Sequence, residues 1–266
     1  MEAIHQAPIQ AKAENDSVGE HASNTLAPPS FSLTAGPIQA KAEEGVMQRA
    51  KGDLETQMKA LAHQCPVVND AYMQVIHDAS DAERQAVLNN KTHMDNIKLN
   101  IGGDSATLVI NALMVGSQEW VNPTGNDFFE HFVTNKKDSP LQNTSSMNCW
   151  ESILYSAFLA GQINGDYIRN FYGQALKASD PTQMIWKQLG FNTSLAKYPA
   201  TTPTAGQFIF YLPKGAPYPS HIALSHGGDS AVSLWNQPNN VDEVQKIKIN
   251  DLVSSGTEVY IGNSAW

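Results

Sequence analysis

Two cysteines occur in this chain, and one of them, Cys149, stands at the mouth of the apolar stretch "SSMNCWESILYSAFLAG", residues 145–161. Asn148 is a strong helix N-cap residue, and Glu151 three positions on completes a capping-box-like pair. Cys149 then falls at the first helical position, where the helix N-terminus lowers a thiol pKa from about 8.5 and raises the thiolate fraction. Free cysteines are most often small buried hydrophobes. Burial would explain a cysteine within the stripe of Ile153, Leu154, Ala157, Phe158 and Ala160, but it explains one at the cap less well. A nucleophilic thiol needs a base within hydrogen-bond reach. His221, opening the strand-like "SHIALS", is the candidate base. A lone strand histidine is more often structural, yet Ala223 and Ser225 share its face and are small, which favours close approach of the cysteine helix.

The elements that must position these groups follow from periodicity. Helical spacing marks "VMQRAKGDLETQMKALAHQ", "PVVNDAYMQVIHDA", "SDAERQAVLNN" and "GGDSATLVINALMVGS", so residues 47–118 read as a helical region. Around 119 aromatics, Asn and Gly enter, and a new domain is expected over 119–266. Helices are predicted there at 148–160, 166–178 and 181–189, the last with Asp180 as cap, Pro181 at its first position and Gly190 after its end. After Pro203 the period changes: "GQFIFYL", "SHIALS", "AVSLWN", "VQKIKIN" and "TEVYIG" read as strands, with "HGGD" as a hairpin turn. Helices followed by antiparallel strands give an α+β class.

Composition narrows the partners. Charged residues are 16% of 266 and the net charge is -9, which argues against nucleic acid as the main partner. No apolar run is long enough to span a membrane, and the N-terminus lacks the basic and apolar regions of a signal peptide. Cys65 and Cys149 sit in unlike contexts, so a disulfide framework is not expected. His63 beside Cys65 gives too few ligands for zinc, and Cys65 reads as packing. No cofactor or metal is expected. Residues 1–46 hold a single aromatic, Phe31, and read as a disordered arm. Within it "APIQAKAE" (7–14) returns as "GPIQAKAE" (36–43), either by chance or as a short address used twice.

A cysteine at a helix start, then "PTAGQFIFY", "SHIALSHGGD" and "VSLWN", resembles the papain-like fold of NlpC-type and CHAP-type cysteine amidases over about residues 125–266. That resemblance implies a cysteine-bearing helix packed on an antiparallel sheet, with Cys149 as nucleophile, His221 as base and Asn236, on the next strand, orienting the base. Gln142 or Asn143 would join the Cys149 backbone N–H in holding an oxyanion. The substrate would be a peptide, protein or peptidoglycan amide, and peptidase, amidase and glutamine deamidase chemistry all remain open, because "NCWES" is not the usual signature of peptidoglycan hydrolases. The repeated motif followed by "DAERQAVLNN" is also similar to cargo of bacterial contractile injection systems. It implies an effector made in the bacterial cytoplasm, loaded into a secretion particle through residues 1–46 and exported into a target cell.

Strand parity is the argument for Asn236. If "HGGD" closes a tight hairpin, Ser225 faces Ser230, His221 lies opposite Leu234, and Asn236 becomes a diagonal neighbour on the histidine's face. A register slip of one residue would put Trp235 on that face instead. Two alternatives stand beside the enzyme: a non-catalytic binding module with Cys149 in its core, and a metal site from Cys149, His221 and His226. The metal reading is the weaker, because His226 and Asp229 belong to the expected turn.

Overall fold

A computed structural model describes residues 53–266 apart from 65–67, 69 and 122–124. The expected arm over 1–46 and the packing role of Cys65 lie outside the described residues.

Five helices come first: α1 (Leu54–Gln64), α2 (Asp70–Asp78), α3 (Asp81–Leu88), α4 (Lys91–Asn100) and α5 (Gly103–Leu113). Ser80 and Glu83 form a full capping box at the start of α3. Helix α4 was not anticipated. Its sequence, KTHMDNIKLN, is mostly polar, and only its Asn90 cap and the buried His93, Met94 and Ile97 commit it to the core.

Next come β1 (Glu119–Trp120), the short α6 (Asp127–Phe129) running into a π-helical turn, and β2 (Ser146–Met147), which pairs with β1 in parallel. The three predicted helices form as α7 (Cys149–Leu159), α8 (Gly165–Lys177) and α9 (Pro181–Gln188). The remaining strands are β3 (Ala196–Tyr198), β4 (Phe208–Leu212), β5 (His221–Gly227), β6 (Ser230–Trp235), β7 (Glu243–Lys248) and β8 (Glu258–Gly262). All pair antiparallel, in the order β3-β8-β4-β5-β6-β7. The protein is therefore mixed helix and antiparallel sheet.

Alternation along the strands gives the sheet two buried faces. Phe208, Phe210, Ile222, Leu224, Val232 and Leu234 join the helices in the main core. Ile209, Tyr211, Ala223, Ala231, Val259 and Ile261 build a smaller core on the other face, with Ile249 and Leu252 from the turn between β7 and β8. Tyr211 donates its hydroxyl to the Ile249 carbonyl at 3.3 Å, tying that turn to the sheet.

The boundary expected near 119 does not separate two cores. The described residues from 53 onward form one compact unit, and Leu54, Ile76, Val109, Ile153 and Leu224 share a single apolar cluster. Helix α5 packs directly on α7, where Asn111 Nδ2 donates to Ser156 Oγ at 3.2 Å. The reason is that α5 is apolar nearly all round, buried from Ala106 to Leu113, and needs neighbours on every side.

Candidate functional site at the entrance of helix α7

The cap of α7 forms as its residue types require. Asn148 Oδ1 accepts from the N–H groups of Trp150 (3.1 Å) and Glu151 (3.0 Å), and Glu151 Oε2 accepts from the Asn148 N–H at 2.8 Å. Glu151 is fully buried and gathers more than a cap bond: Asn126 Nδ2 donates to its Oε2 at 2.5 Å, and the Tyr172 hydroxyl donates to its Oε1. The carboxyl thus ties the loop before α6, the start of α7 and the middle of α8 together. Burial raises its pKa to about 7, against the lowering effect of these donors.

Cys149 occupies the first position of α7, with 7% of its surface exposed. Its sulfur lies among three backbone N–H groups: that of Ile222 on β5, that of Trp150 and its own. Burial outweighs them and pushes the thiol up to about 12, with the Glu151 carboxylate adding to the rise. The cysteine is therefore a protonated thiol.

The thiol reaches β5 at the peptide that joins His221 to Ile222. The imidazole turns from that peptide to the other face of the sheet. His221 Nε2 lies 2.5 Å from Ser233 Oγ, and the ring stacks on Trp235 at 4.4 Å between centroids and leans on Tyr211 at 5.6 Å. Only 1% of His221 is exposed, and burial alone lowers its pKa to about 3. Among the described residues Cys149 and His221 share no hydrogen bond. Ala223 and Ser225 do not admit the cysteine helix as expected. They share His221's parity, so Ile222 and Leu224 meet the helices instead.

Asn236 does not orient the histidine. Gly227 pairs with Ser230 across Gly228 and Asp229, and a bulge at His226 then brings Ser225 opposite Ala231 and Leu224 opposite Val232. Continued down the strands, that register sets His221 opposite Trp235 with Ser233 as its diagonal neighbour, and by parity sends Asn236 to the other side. The signal lay in "HGGD": Gly227 and Gly228 both take positive φ, 98° and 62°, so the pair supports a bulge beside a two-residue turn. Ser233 is the site residue that sequence reasoning missed.

The oxyanion candidates are also placed elsewhere. Gln142 is exposed in the turn before β2, and Asn143 directs its amide to Asn89 Oδ1 at 3.4 Å. Both serve the local loop.

The metal alternative separates as well. His226 faces His77 of α2 and not Cys149, and no group of three or more His, Cys, Asp or Glu side chains among the described residues can hold a metal ion. No helix among the described residues is long and apolar enough to cross a membrane. No family model, curated protein or solved structure matches this chain.

Proposed function

We propose that the protein is a cysteine-dependent amide hydrolase on a papain-like scaffold, with Cys149 as nucleophile and His221 as base, Ser233 holding the ring on the far face of the sheet until the site opens. The observation that carries this reading is Cys149 at the first position of helix α7, which packs on the strand that His221 opens. In the described state the His221 ring stands on the far face of the sheet from the sulfur, so the proposed reaction begins with a rearrangement at the start of β5 that brings Nδ1 to the thiol. Nδ1 then takes the thiol proton as sulfur attacks the amide carbonyl carbon. The amine leaves with that proton, and water, deprotonated by His221, cleaves the thioester to the acid. Backbone N–H groups of Cys149 and Ile222 stabilise the oxyanion. In the described state Nε2 pairs with Ser233 Oγ and the ring stacks on Trp235, and both contacts are given up as the ring moves to the thiol.

The described state is closed. Thiol and imidazole are both neutral for the same reason, loss of water, so no thiolate–imidazolium pair is preformed. When substrate or a loop movement opens the site, the burial penalty falls while the three N–H groups remain, and the thiol moves toward the thiolate. Substrate choice among peptide, peptidoglycan and protein glutamine amides stays within the proposal. So does an effector role, in which the "PIQAKAE" repeats of residues 1–46 act as a loading address for an injection particle in the producing bacterium. Purified peptidoglycan and glutamine-bearing proteins, each tested with wild type and Cys149→Ala, decide the enzyme reading. Turnover that survives Cys149→Ala ends it.

One observation favours a second reading, a non-catalytic binding module: Cys149 and His221 are both nearly inaccessible and neutral. On that reading no substrate class is turned over and Cys149→Ala leaves partner binding intact.

A further inference from the structure

The bulge in β5 does more than shift the register. The extra residue it accommodates is His226, whose ring reaches across to His77 near the end of α2. His226 Nδ1 lies 3.0 Å from His77 Nε2, and the rings stack with centroids 5.0 Å apart. At that distance one ring nitrogen must carry a proton and the other a lone pair, so the contact requires both rings to be neutral or to share one added proton. His226 Nε2 is enclosed and has no hydrogen-bond partner among the described residues, so a charge on that ring is not solvated.

The charges acting on the pair come from three elements. Lys246 on β7 and Arg84 on α3 both oppose protonation, and Asp78, beside His77 on α2, favours it. Arg84 is fixed, because it donates to the carbonyls of Ile76, Ala79 and Val115 around the α2–α3 turn. Arg84 also pairs with Asp81 on α3, and Lys246 is exposed on β7, so burial is the first cause that keeps the pair neutral and the cations add to it. A first proton puts an unsolvated charge between these cations. A second removes the lone pair that closes the contact and leaves two N–H groups face to face.

We propose that His77 and His226 form an acid-opened latch that holds helix α2 against the β5–β6 hairpin at neutral pH and releases it when the pair is protonated. Release frees the end of α2 from the hairpin, while its packing on α1 and α5 stays. The latch is independent of the hydrolase reading, since neither histidine touches Cys149, His221 or Ser233.

Amide hydrogen exchange on the full chain tests this, with α8 as internal reference and intrinsic rates corrected at each pH. Taking His77 from its ordinary value of 6.5 in the open state to about 4 in the closed one, protection of α2 should fall about 30-fold from pH 7.5 to pH 5. Helix α8 should lose much less protection than α2 over the same range. In His77→Gln and in His226→Gln, each with one titrating ring left, the acid response of α2 should shrink, and in the double variant it should disappear. Unchanged α2 protection in the wild type at pH 5 overturns the latch, as does an equal loss in α8, which means global unfolding. An acid response of wild-type size in whichever glutamine variant folds assigns the effect to other groups and overturns it equally.

Discussion

Ser233 Oγ lies 2.5 Å from Nε2 of His221, across a strand pair whose register is displaced by the single bulged residue His226. Twelve positions separate the two residues in sequence. One inserted residue in the hairpin decides which side chain of β6 meets the histidine, and so which residues a mutational test must address.

Ser233→Ala should therefore change turnover by less than Cys149→Ala or His221→Ala, because it leaves nucleophile and base in place. Asn236→Ala should leave turnover within about twofold, since its side chain is on the other face. Steady-state kinetics on the four variants check the ranking. A larger change from Asn236→Ala than from Ser233→Ala would mean that the register is wrong.

The closed thiol has its own signature. With its pKa near 12 and 7% exposure, Cys149 should react with iodoacetamide at pH 7.5 at least about tenfold more slowly in the folded protein than in urea. Peptide mapping after timed labelling reads this residue separately from Cys65. Addition of a true substrate or a reactive substrate analogue should raise the folded-state rate. Rapid labelling without any ligand would show that the closed description of the thiol is mistaken.

Acid stability should be dominated by histidine. His77, His93, His221 and His226 all have pKa values held below 6.5 in the fold, chiefly by burial. The unfolded chain therefore binds more protons than the folded one below about pH 6.5, so stability is full above that value and is lost as pH falls through it. Glu151 works the other way: its folded value of about 7 exceeds the ordinary 4.5, so its contribution weakens as pH rises from 4.5 to 7. Four groups oppose one. Urea midpoints should drop between pH 7 and pH 5, and a midpoint that rises over that interval would contradict the burial of these rings.

Glu151→Ala removes the acceptor for Asn126, Asn148 and Tyr172 at once and should destabilise by about 3–5 kcal/mol, as expected for a buried network that loses its centre. Glu151→Gln keeps the shape and one oxygen. It should cost less, about 1–2 kcal/mol, and should remove the weakening between pH 4.5 and 7. Equal losses for both variants in urea titrations would show that the carboxyl packs without bonding.

What the sequence made legible was whatever depended on local pattern. The Asn148–Glu151 box, the Pro181 start of α9 and the alternation of "GQFIFYL" and "AVSLWN" each announced an element whose cause is close along the chain. The cysteine at a helix mouth and the histidine at a strand start were visible on the same terms. Ser233 was not, because its role depends on a bulge that flips parity, and a run with glycines at two successive positions accommodates more than one turn. Helix α4 escaped because tertiary contacts at His93, Met94 and Ile97 hold it and its own periodicity is weak. The shared core of α5 and α7 is a long-range fact, and a change in composition near 119 gave no measure of it.

Strand β8 is the last in the chain, yet it lies between β3 and β4 and contributes to both cores, with Tyr260 on one side and Val259 and Ile261 on the other. Strands β4 to β7 form a meander whose neighbours are consecutive, so successive hairpins can assemble it from contacts of short sequence separation. Joining β8 to β4 closes a loop that contains the whole meander, an entropic step of much higher contact order. Until that step, Phe210 and Ile209 have an open edge beside them, and neither half of the sheet's interior is sealed. The final strand therefore acts as a keystone, and completion of the two cores becomes one cooperative event at the end of folding.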